Sequence, residues 1–212
     1  ANPKVALDAN EKRWNGYLKK VIRDDMPAEY NRVAAKSIVT LLSNWRAKRG
    51  ALYHDGIVPS HAVGYFVGCW AWDCWRFSAG MASFFPELAK DNIRVMFDYQ
   101  QPDGMIIDCI YPDASENNYR DGTPPLAAWA VQAIYEHTKA LAFVKQMYPK
   151  HPKYHKWWYE QRDHDKNHIC EFGSVDGTLE AAAWESGMDN AIRFDGTKML
   201  QNGKDAWSTN QE

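Results

Sequence analysis

Indole rings and carboxylates lie close together in four short segments of this chain. The first segment holds Trp70, Trp72 and Trp75 around Asp73. Aromatic rings stack on the C–H faces of sugars, and carboxylate oxygens accept hydrogen bonds from sugar hydroxyls. An Asp near a helix start also serves as a cap among packed rings, so a structural role stays open here. We expect Trp70, Trp72 and Asp73 to bind substrate.

The second segment runs from Tyr119 to Pro125 and carries Arg120 and Asp121 just before an amphipathic helix. Helix initiation explains the Thr-Pro-Pro that ends it, since Thr caps a helix and Pro suits the first turn. Helix initiation does not explain the two charges. A ligand contact and a solvated loop both remain open for Arg120 and Asp121.

The third segment places Trp184 and Glu185 before Gly187, and Asp189 after it. Glycoside hydrolysis needs one carboxylic acid that protonates the departing oxygen and a second carboxylate across the sugar. An inverting pair stands about 6.5 to 9.5 Å apart, which one short motif does not span easily. The segment therefore predicts one catalytic acid, with the neighbouring Trp184 and Glu185 in the sugar site.

The fourth segment is an oxygen-rich turn that has side-chain oxygens at Asp163, Asp165 and Asn167, with the Ile169 carbonyl next in the pattern. This spacing is the opening half of a calcium loop. His168 stands where an EF-hand needs Gly, so an EF-hand is excluded. A calcium turn and a hydrated acidic loop remain as alternatives, and the hard oxygen ligands disfavour zinc.

Helical periodicity dominates the rest of the chain and predicts an all-α protein. Apolar residues recur at three and four positions in a series of segments, at about 14–22, 30–45, 70–81, 86–99, 125–137, 139–148 and 151–162, with a further helix from 179. Long loops at 51–68 and 101–123 interrupt the series, and 106–111 is the best strand candidate. Alternating helices and long loops are typical of stacked αα-hairpins whose loops gather at one end.

Composition excludes several other classes of function. The 212 residues carry a formal charge of −2 and include 45% hydrophobic residues. Neutral charge gives no electrostatic footprint for nucleic acid or for an anionic membrane. The four cysteines form no C-x-x-C pair, and neither a P-loop nor a G-x-S-x-G elbow is present. The high aromatic content, 14%, fits either a sugar site or a helical core built from large rings.

The motifs resemble those of glycoside hydrolase family 63, the processing α-glucosidase I family with its bacterial relatives, and more distantly those of the family 37 trehalases. The resemblance rests on W-x-W-D-x-W at 70–75, P-x-L-A-A-W at 124–129 and W-E-S-G-x-D at 184–189. It implies an (α/α)6 toroid that hydrolyses α-glucosidic or related bonds in oligosaccharides with inversion. It also implies that Asp189 is the general acid and that Trp72 and Asp73 wall the sugar subsite. Bacterial relatives carry calcium in a similar turn, which implies that Glu212 joins the ligands at 163–169.

The resemblance further implies a general base, a Glu near the C-terminal end of the toroid, and this chain contains no match for it. A ring of six hairpins needs roughly 400 residues at this spacing. We therefore expect residues 1–212 to form the N-terminal half of a single catalytic domain that is inactive alone. Its partner is then the other half of the barrel, in a separate or missing polypeptide. Bacterial relatives also favour an extracytoplasmic location.

Two rival interpretations belong to other classes of protein. One is a non-catalytic helical module that binds carbohydrate through the same Trp and Asp residues. The other is a structural αα-solenoid in which Trp70 and Trp72 belong to the core. Solvent access to those two indole rings distinguishes the interpretations.

Overall fold

The computed structural model describes residues 2–204 and 206–210, and the predicted calcium ligand Glu212 lies outside them. Helices dominate this part of the chain. They are α1 (Pro3–Val21), α2 (Ala28–Ser43), α3 (Ala71–Met81), α4 (Pro86–Phe97), α5 (Ala127–Thr138), α6 (Leu141–Met147), α7 (His151–Gln161) and α8 (Leu179–Glu185). The predicted series of helices is confirmed, with bounds within a few residues of the expected ones except at α1, which begins eleven residues before the expected position 14.

Local chemistry explains where several helices begin. The Asn2 side chain accepts a hydrogen bond from the Lys4 amide at 3.0 Å and so caps α1. Pro27 directly precedes α2, which therefore starts two residues before the expected Tyr30. Pro86 opens α4 at the first helical position, where a missing N–H costs nothing.

The core lies where α3, α4 and α5 pack against one another. One face of α3 is fully buried, and its members are Ala71, Cys74, Trp75, Ser78 and Met81. The buried Asn92 of α4 donates to the Cys74 carbonyl at 2.9 Å and to Ser78 Oγ at 3.0 Å, and accepts from the Ile57 amide at 2.8 Å. This single amide therefore fixes α4 against α3 and against the loop that follows α2.

Short antiparallel ladders tie the long loops together. β1 (Trp45–Arg46) pairs with β2 (Gly56–Ile57), and β3 (Cys69–Trp70) pairs with β4 (Cys109–Ile110). A three-stranded sheet follows in the order β5-β7-β6, formed by Gly173–Ser174, Ala206–Thr209 and Met199–Gly203. The predicted strand at 106–111 is thus confirmed only at Cys109–Ile110. The three-stranded sheet was not predicted, because the exposed β6 shows no apolar alternation.

Main-chain hydrogen bonds around Asp108 bring the first two motif segments side by side. The Ala71 amide donates to the Asp108 carbonyl at 2.9 Å, and the Asp108 amide donates to the Asp121 carbonyl at 3.1 Å. The start of α3, the strand β4 and the loop before α5 therefore form one wall. Among the residues that the structure describes, no helix combines the length and apolarity needed to span a membrane.

Candidate active site

The first and third motif segments meet at Trp72 and Gly187. Gly187 has φ +70°, and a Cβ at this position would lie 3.3 Å from the Trp72 indole and 3.5 Å from Pro124 Cγ. Both conditions favour glycine, since a side chain resists positive φ and would press on the ring. The turn that leads to Asp189 therefore packs directly on the first segment and on a proline at the end of the second.

Asp73 lies in the first turn of α3, half-buried. Burial raises the pKa of Asp73 to about 6; Arg76 opposes this rise and the charge of Asp189 adds to it. This electrostatic effect shows that the two carboxyls lie near each other. Asp73 is not the cap of α3, because that position is Trp70. The alternative that Asp73 serves as a helix cap is therefore wrong.

Asp108 is a buried carboxyl that the motifs did not single out. Its Oδ2 accepts a hydrogen bond from the side-chain amide (Nδ2) of Asn118 at 3.0 Å. Burial raises the pKa of Asp108 to about 7; the Asn118 hydrogen bond opposes the rise, while the charges of Asp73 and Asp189 add to it. A signal was present, because Asp108 is the one charged residue in the apolar run 105–110.

Asp121 lies behind this wall and has no exposed surface. Its Oδ1 accepts from the same Asn118 amide at 2.8 Å, while its buried Oδ2 has no hydrogen-bond partner among the described residues. Burial, together with the charges of Asp108 and Glu185, raises the pKa of Asp121 to about 9. The two alternatives for Asp121, a ligand contact and a solvated loop, are therefore both corrected, because its side chain is buried. It is a buried acid that bonds to Asn118 within the wall, and burial favours its neutral form.

Glu185 is also turned inward, although its motif predicted a sugar contact. It is 0% exposed, and Arg162 donates to it twice, from Nε to Oε1 at 2.6 Å and from an Nη to Oε2 at 2.9 Å. Two backbone amides, those of Gly122 and Gly173, donate to the same carboxylate. The prediction that Glu185 binds substrate is corrected, because its oxygens already have four donors.

Arg120 and Trp184 form one layer at the side of this wall. The Arg120 guanidinium lies 4.9 Å from the centre of the Trp184 ring. It donates to Asp176 Oδ2 at 2.5 Å and to Thr178 Oγ1 at 3.0 Å. Both side chains are half-buried. Arg120 is therefore not a merely solvated loop residue, and its bonds to Asp176 and Thr178 hold it over the indole.

The Trp residues include core rings, half-buried rings and the exposed Trp129. Trp75, Trp157 and Trp158 are buried in the core. Trp70 and Trp72 are half-buried, with Trp70 edge-on to Phe66 and Tyr111 and with Arg76 4.4 Å from the centre of the Trp72 ring. The structural solenoid interpretation fits the first set of rings, and Trp72 also packs against the core with part of its surface exposed.

Asp189 is exposed within the described residues. The role of general acid that the family resemblance implies for Asp189 stays a prediction. The residue follows the C-terminal end of α8 on a turn that Ser186 fixes, since Ser186 Oγ accepts from the Met188 amide at 3.0 Å. The turn places Asp189 near Asp73. The Asp189 side chain is open to solvent.

The oxygen-rich turn at 163–169 has the donors that a hard cation needs. Asp163 is buried, and its Oδ1 has no hydrogen-bond partner among the described residues. Asp165 and Asn167 are exposed and bond to each other. No group of three His, Cys, Asp or Glu side chains fit for a metal occurs within residues 2–204 and 206–210. The unpartnered Asp163 oxygen still fits a cation held by oxygen ligands, including amide and main-chain oxygens.

Similarity to known proteins covers the same segments. Residues 67–210 match the model of the mannosylglycerate hydrolase MGH1-like glycoside hydrolase domain. Mannosylglycerate hydrolase MGH2 of Selaginella moellendorffii is 27% identical over 154 residues, which are 63% of this chain and 30% of that protein. Glucosylglycerate hydrolase of Mycolicibacterium hassiacum is 29% identical over 171 residues, 66% of this chain and 36% of its own length.

The chain is also similar in fold to a solved structure. The GH63 mannosylglycerate hydrolase from Thermus thermophilus, in complex with Tris and D-glycerate, is similar with a TM-score of 0.61 and 26% identity. The similarity covers 77% of this chain and 39% of that one. The chain thus spans roughly a third of the length of the relatives it matches.

Proposed function

The chain belongs to the family of the mannosylglycerate hydrolase MGH1-like glycoside hydrolase domain, and on this basis we propose that it forms part of an inverting α-glycoside hydrolase. The resemblance to family 63 is thereby confirmed, as is the fold class, an all-α toroid of helical hairpins of which these residues are a part. The activity, the linkage and the stereochemistry are our proposals.

The observation that carries the proposal is the contact between the Trp72 indole and the Gly187 turn. It brings a half-buried ring, the Asp73 carboxyl and the Asp189 carboxyl to one face. A sugar ring stacked on Trp72 then has hydroxyl acceptors on one side and a potential acid beside its glycosidic oxygen.

The proposed reaction is a single displacement. Asp189 gives its proton to the glycosidic oxygen as the bond from that oxygen to the anomeric carbon breaks. A water oxygen bonds to the same carbon from the opposite face and gives its proton to a general base. We propose that this base is a carboxylate outside these 212 residues, on the remaining part of the barrel. In the complete barrel, the remaining part and the bound substrate would together shield Asp189 from solvent.

The substrate class follows from the site and from the relatives together. The relatives carry the names mannosylglycerate hydrolase and glucosylglycerate hydrolase. We propose an α-linked glucoside or a closely related α-glycoside as the substrate here, either an oligosaccharide or a glycosylglycerate. The two half-buried indoles suit the apolar face of a hexose.

We also propose calcium at the turn 163–169. Asp163, Asp165, Asn167 and the Ile169 carbonyl would hold it, with Glu212 as the further ligand that the family resemblance implies. The cation would supply no chemistry to the reaction. It would neutralise the buried Asp163 carboxylate and fix the end of α7.

The test is an assay of the complete protein against α-linked glucobioses, glucosylglycerate and mannosylglycerate, with β-linked glucobioses as controls. Release of free sugar from one of the α-linked substrates, with no release from the β-linked controls, supports the proposal. Saccharide binding without hydrolysis would instead favour the carbohydrate-binding module. Neither binding nor hydrolysis would leave only a structural role for the half-buried indoles.

A further inference from the structure

Arg162 and Glu185 form an ion pair at the centre of the described residues. The two side chains are 1% and 0% exposed. Their contact is bidentate, with Nε–Oε1 at 2.6 Å and Nη2–Oε2 at 2.9 Å. The planar guanidinium also lies 4.6 Å from the centre of the Trp157 ring, which fixes its plane. Two parallel charge-assisted bonds fix orientation as well as distance.

The rest of the Glu185 carboxylate binds the main chain of two separate loops. The Gly122 amide donates to Oε2 at 3.0 Å, and the Gly173 amide donates to Oε1 at 2.7 Å. A Cβ on Gly173 would lie 2.0 Å from the Trp207 carbonyl oxygen and 2.6 Å from Arg162 Nε, so only glycine fits between β7 and Arg162. Glu185 therefore joins α8 to the end of α7, to the loop before α5 and to β5.

Stability alone does not explain this arrangement. In a buried ion pair, the attraction between the two charges does little more than offset the free energy lost when they leave water. Apolar replacements of similar volume are therefore often neutral or stabilising for the folded state. The arrangement does determine geometry, because Gly122 follows Asp121 and Glu185 precedes Asp189 by four residues. The Asp121 carbonyl in turn holds the Asp108 amide at 3.1 Å.

We propose that Glu185, paired with Arg162, is a positioning residue that holds the Asp108–Asp121 wall and the Asp189 turn in register. This inference rests on the proposed function, since the register matters for the transfer of a proton from Asp189. Glu185 touches no substrate. It acts through the backbone amides that it binds and through the end of α8.

The experiment compares two variants of the complete protein with a matched control. Arg162→Met/Glu185→Leu replaces the pair by apolar side chains. Arg162→Lys keeps the positive charge but cannot make the two parallel hydrogen bonds to Glu185. The control, Lys156→Met/Glu160→Leu, removes the same two charges from an exposed pair on α7. The measurements are kcat and KM on the best α-glycoside, thermal unfolding, and hydrogen exchange of peptides that contain Gly122 or Gly173.

We expect the apolar double variant to unfold cooperatively and to lose kcat by roughly 10-fold to 100-fold, the effect of a displacement of about 1 Å. KM changes little, both glycine peptides exchange faster, and the control behaves as wild type. Arg162→Lys shows a smaller loss of kcat in the same direction. If the double variant does not fold, the lysine variant decides the question by the same measurements.

Two results overturn the inference. One is a folded double variant, or a folded lysine variant, with wild-type kcat and wild-type exchange at both glycines. The other is a higher KM with unchanged kcat, which would mean that Glu185 contacts the sugar. If the wild-type protein hydrolyses none of the glycosides, the proposed function is wrong. The exchange measurement alone then decides whether Glu185 holds the two loops.

Discussion

The Trp72 indole packs on Gly187, at a turn where a Cβ would lie 3.3 Å from the ring and where φ is +70°. Gly187→Ala should therefore cost about 1 to 3 kcal/mol of unfolding free energy through its backbone, and should also displace the ring. We expect saccharide binding to weaken beyond what the loss of stability explains. Chemical denaturation and saccharide titration by tryptophan fluorescence measure the two effects.

Gly196 provides the control for that substitution. Its φ is +73°, but nothing lies within 4 Å of a Cβ built there. Gly196→Ala thus carries the same backbone strain without the ring contact. Equal losses of saccharide binding in the two variants would mean that the contact between Trp72 and Gly187 does not shape the site.

Asp189→Asn tests the proposed acid. A side chain that donates a proton in the transition state contributes typically about 10² to 10⁴ in rate, so kcat of the complete protein should fall by at least about 100-fold with binding retained. Asp195→Asn, an exposed carboxyl six residues later, is the matched control. Wild-type turnover in the Asp189 variant would remove this residue from the acid role.

Asp73 should make saccharide binding depend on pH. Its pKa is raised to about 6, so the carboxylate that accepts sugar hydroxyls is formed mainly above that pH. We expect affinity to rise about tenfold from pH 5 to pH 8, measured by calorimetry. In Asp73→Asn, affinity should be lower at pH 8 and nearly independent of pH. A wild-type affinity that falls over this range would contradict the role given to Asp73.

Asp121 should make stability depend on pH with the opposite sign. Burial and its acidic neighbours raise its pKa to about 9, whereas the unfolded chain ionises near pH 4. Its contribution is therefore fully present below pH 4 and is lost as pH rises towards 9. Relative to wild type, Asp121→Asn should gain unfolding free energy between pH 5 and pH 9, at most about 1.4 kcal/mol per pH unit and about 5 kcal/mol in all. Denaturant unfolding at both pH values measures this difference.

The control for that measurement is Asp8→Asn on the exposed surface of α1. Its unfolding free energy should keep a constant offset from wild type across the same range. If Asp121→Asn also keeps a constant offset, Asp121 does not hold a proton in the folded state.

Removal of calcium should lower the thermal stability of the complete protein. Chelation leaves the buried Asp163 carboxylate without a compensating cation, so the midpoint should fall by several degrees and recover with added Ca²⁺ but not with Mg²⁺, which demands a tighter octahedral shell. Asp163→Asn should abolish the response to Ca²⁺. A midpoint that ignores both chelator and calcium would identify the turn as a hydrated acidic loop.

Periodicity was sufficient to predict helices such as α3 and α4, because each buries a face of apolar residues that the sequence displays. It missed the first half of α1, which has Tyr17 as its one buried residue. Pro86 is the first residue of α4 in the prediction and in the structure, whereas α2 begins directly after Pro27 and two residues before the expected Tyr30. The convergence of the motif segments followed from their position on loops between hairpins. Asp73 and Asp189 are close enough to interact, as the motif interpretation requires.

The direction of a side chain was not predictable from its motif. Glu185 and Asp189 share one segment, yet Glu185 faces Arg162 in the core and Asp189 faces solvent. The difference depends on a partner 23 residues away in sequence, which no local pattern contains. Asp108 was overlooked for a related reason, since its partner Asn118 lies across a loop.

The pairing of Cys69 with Ile110 and of Trp70 with Cys109 also bears on how this scaffold diversifies. These ladder hydrogen bonds join backbone groups, so they survive replacement of the side chains around Trp70. Under the proposed function, mutations at Phe66 or Tyr111, which flank Trp70, should alter which sugar is accepted while the backbone ladder stays in place. The side chains that flank Trp70 are therefore the first positions to vary in directed evolution of altered glycan preference.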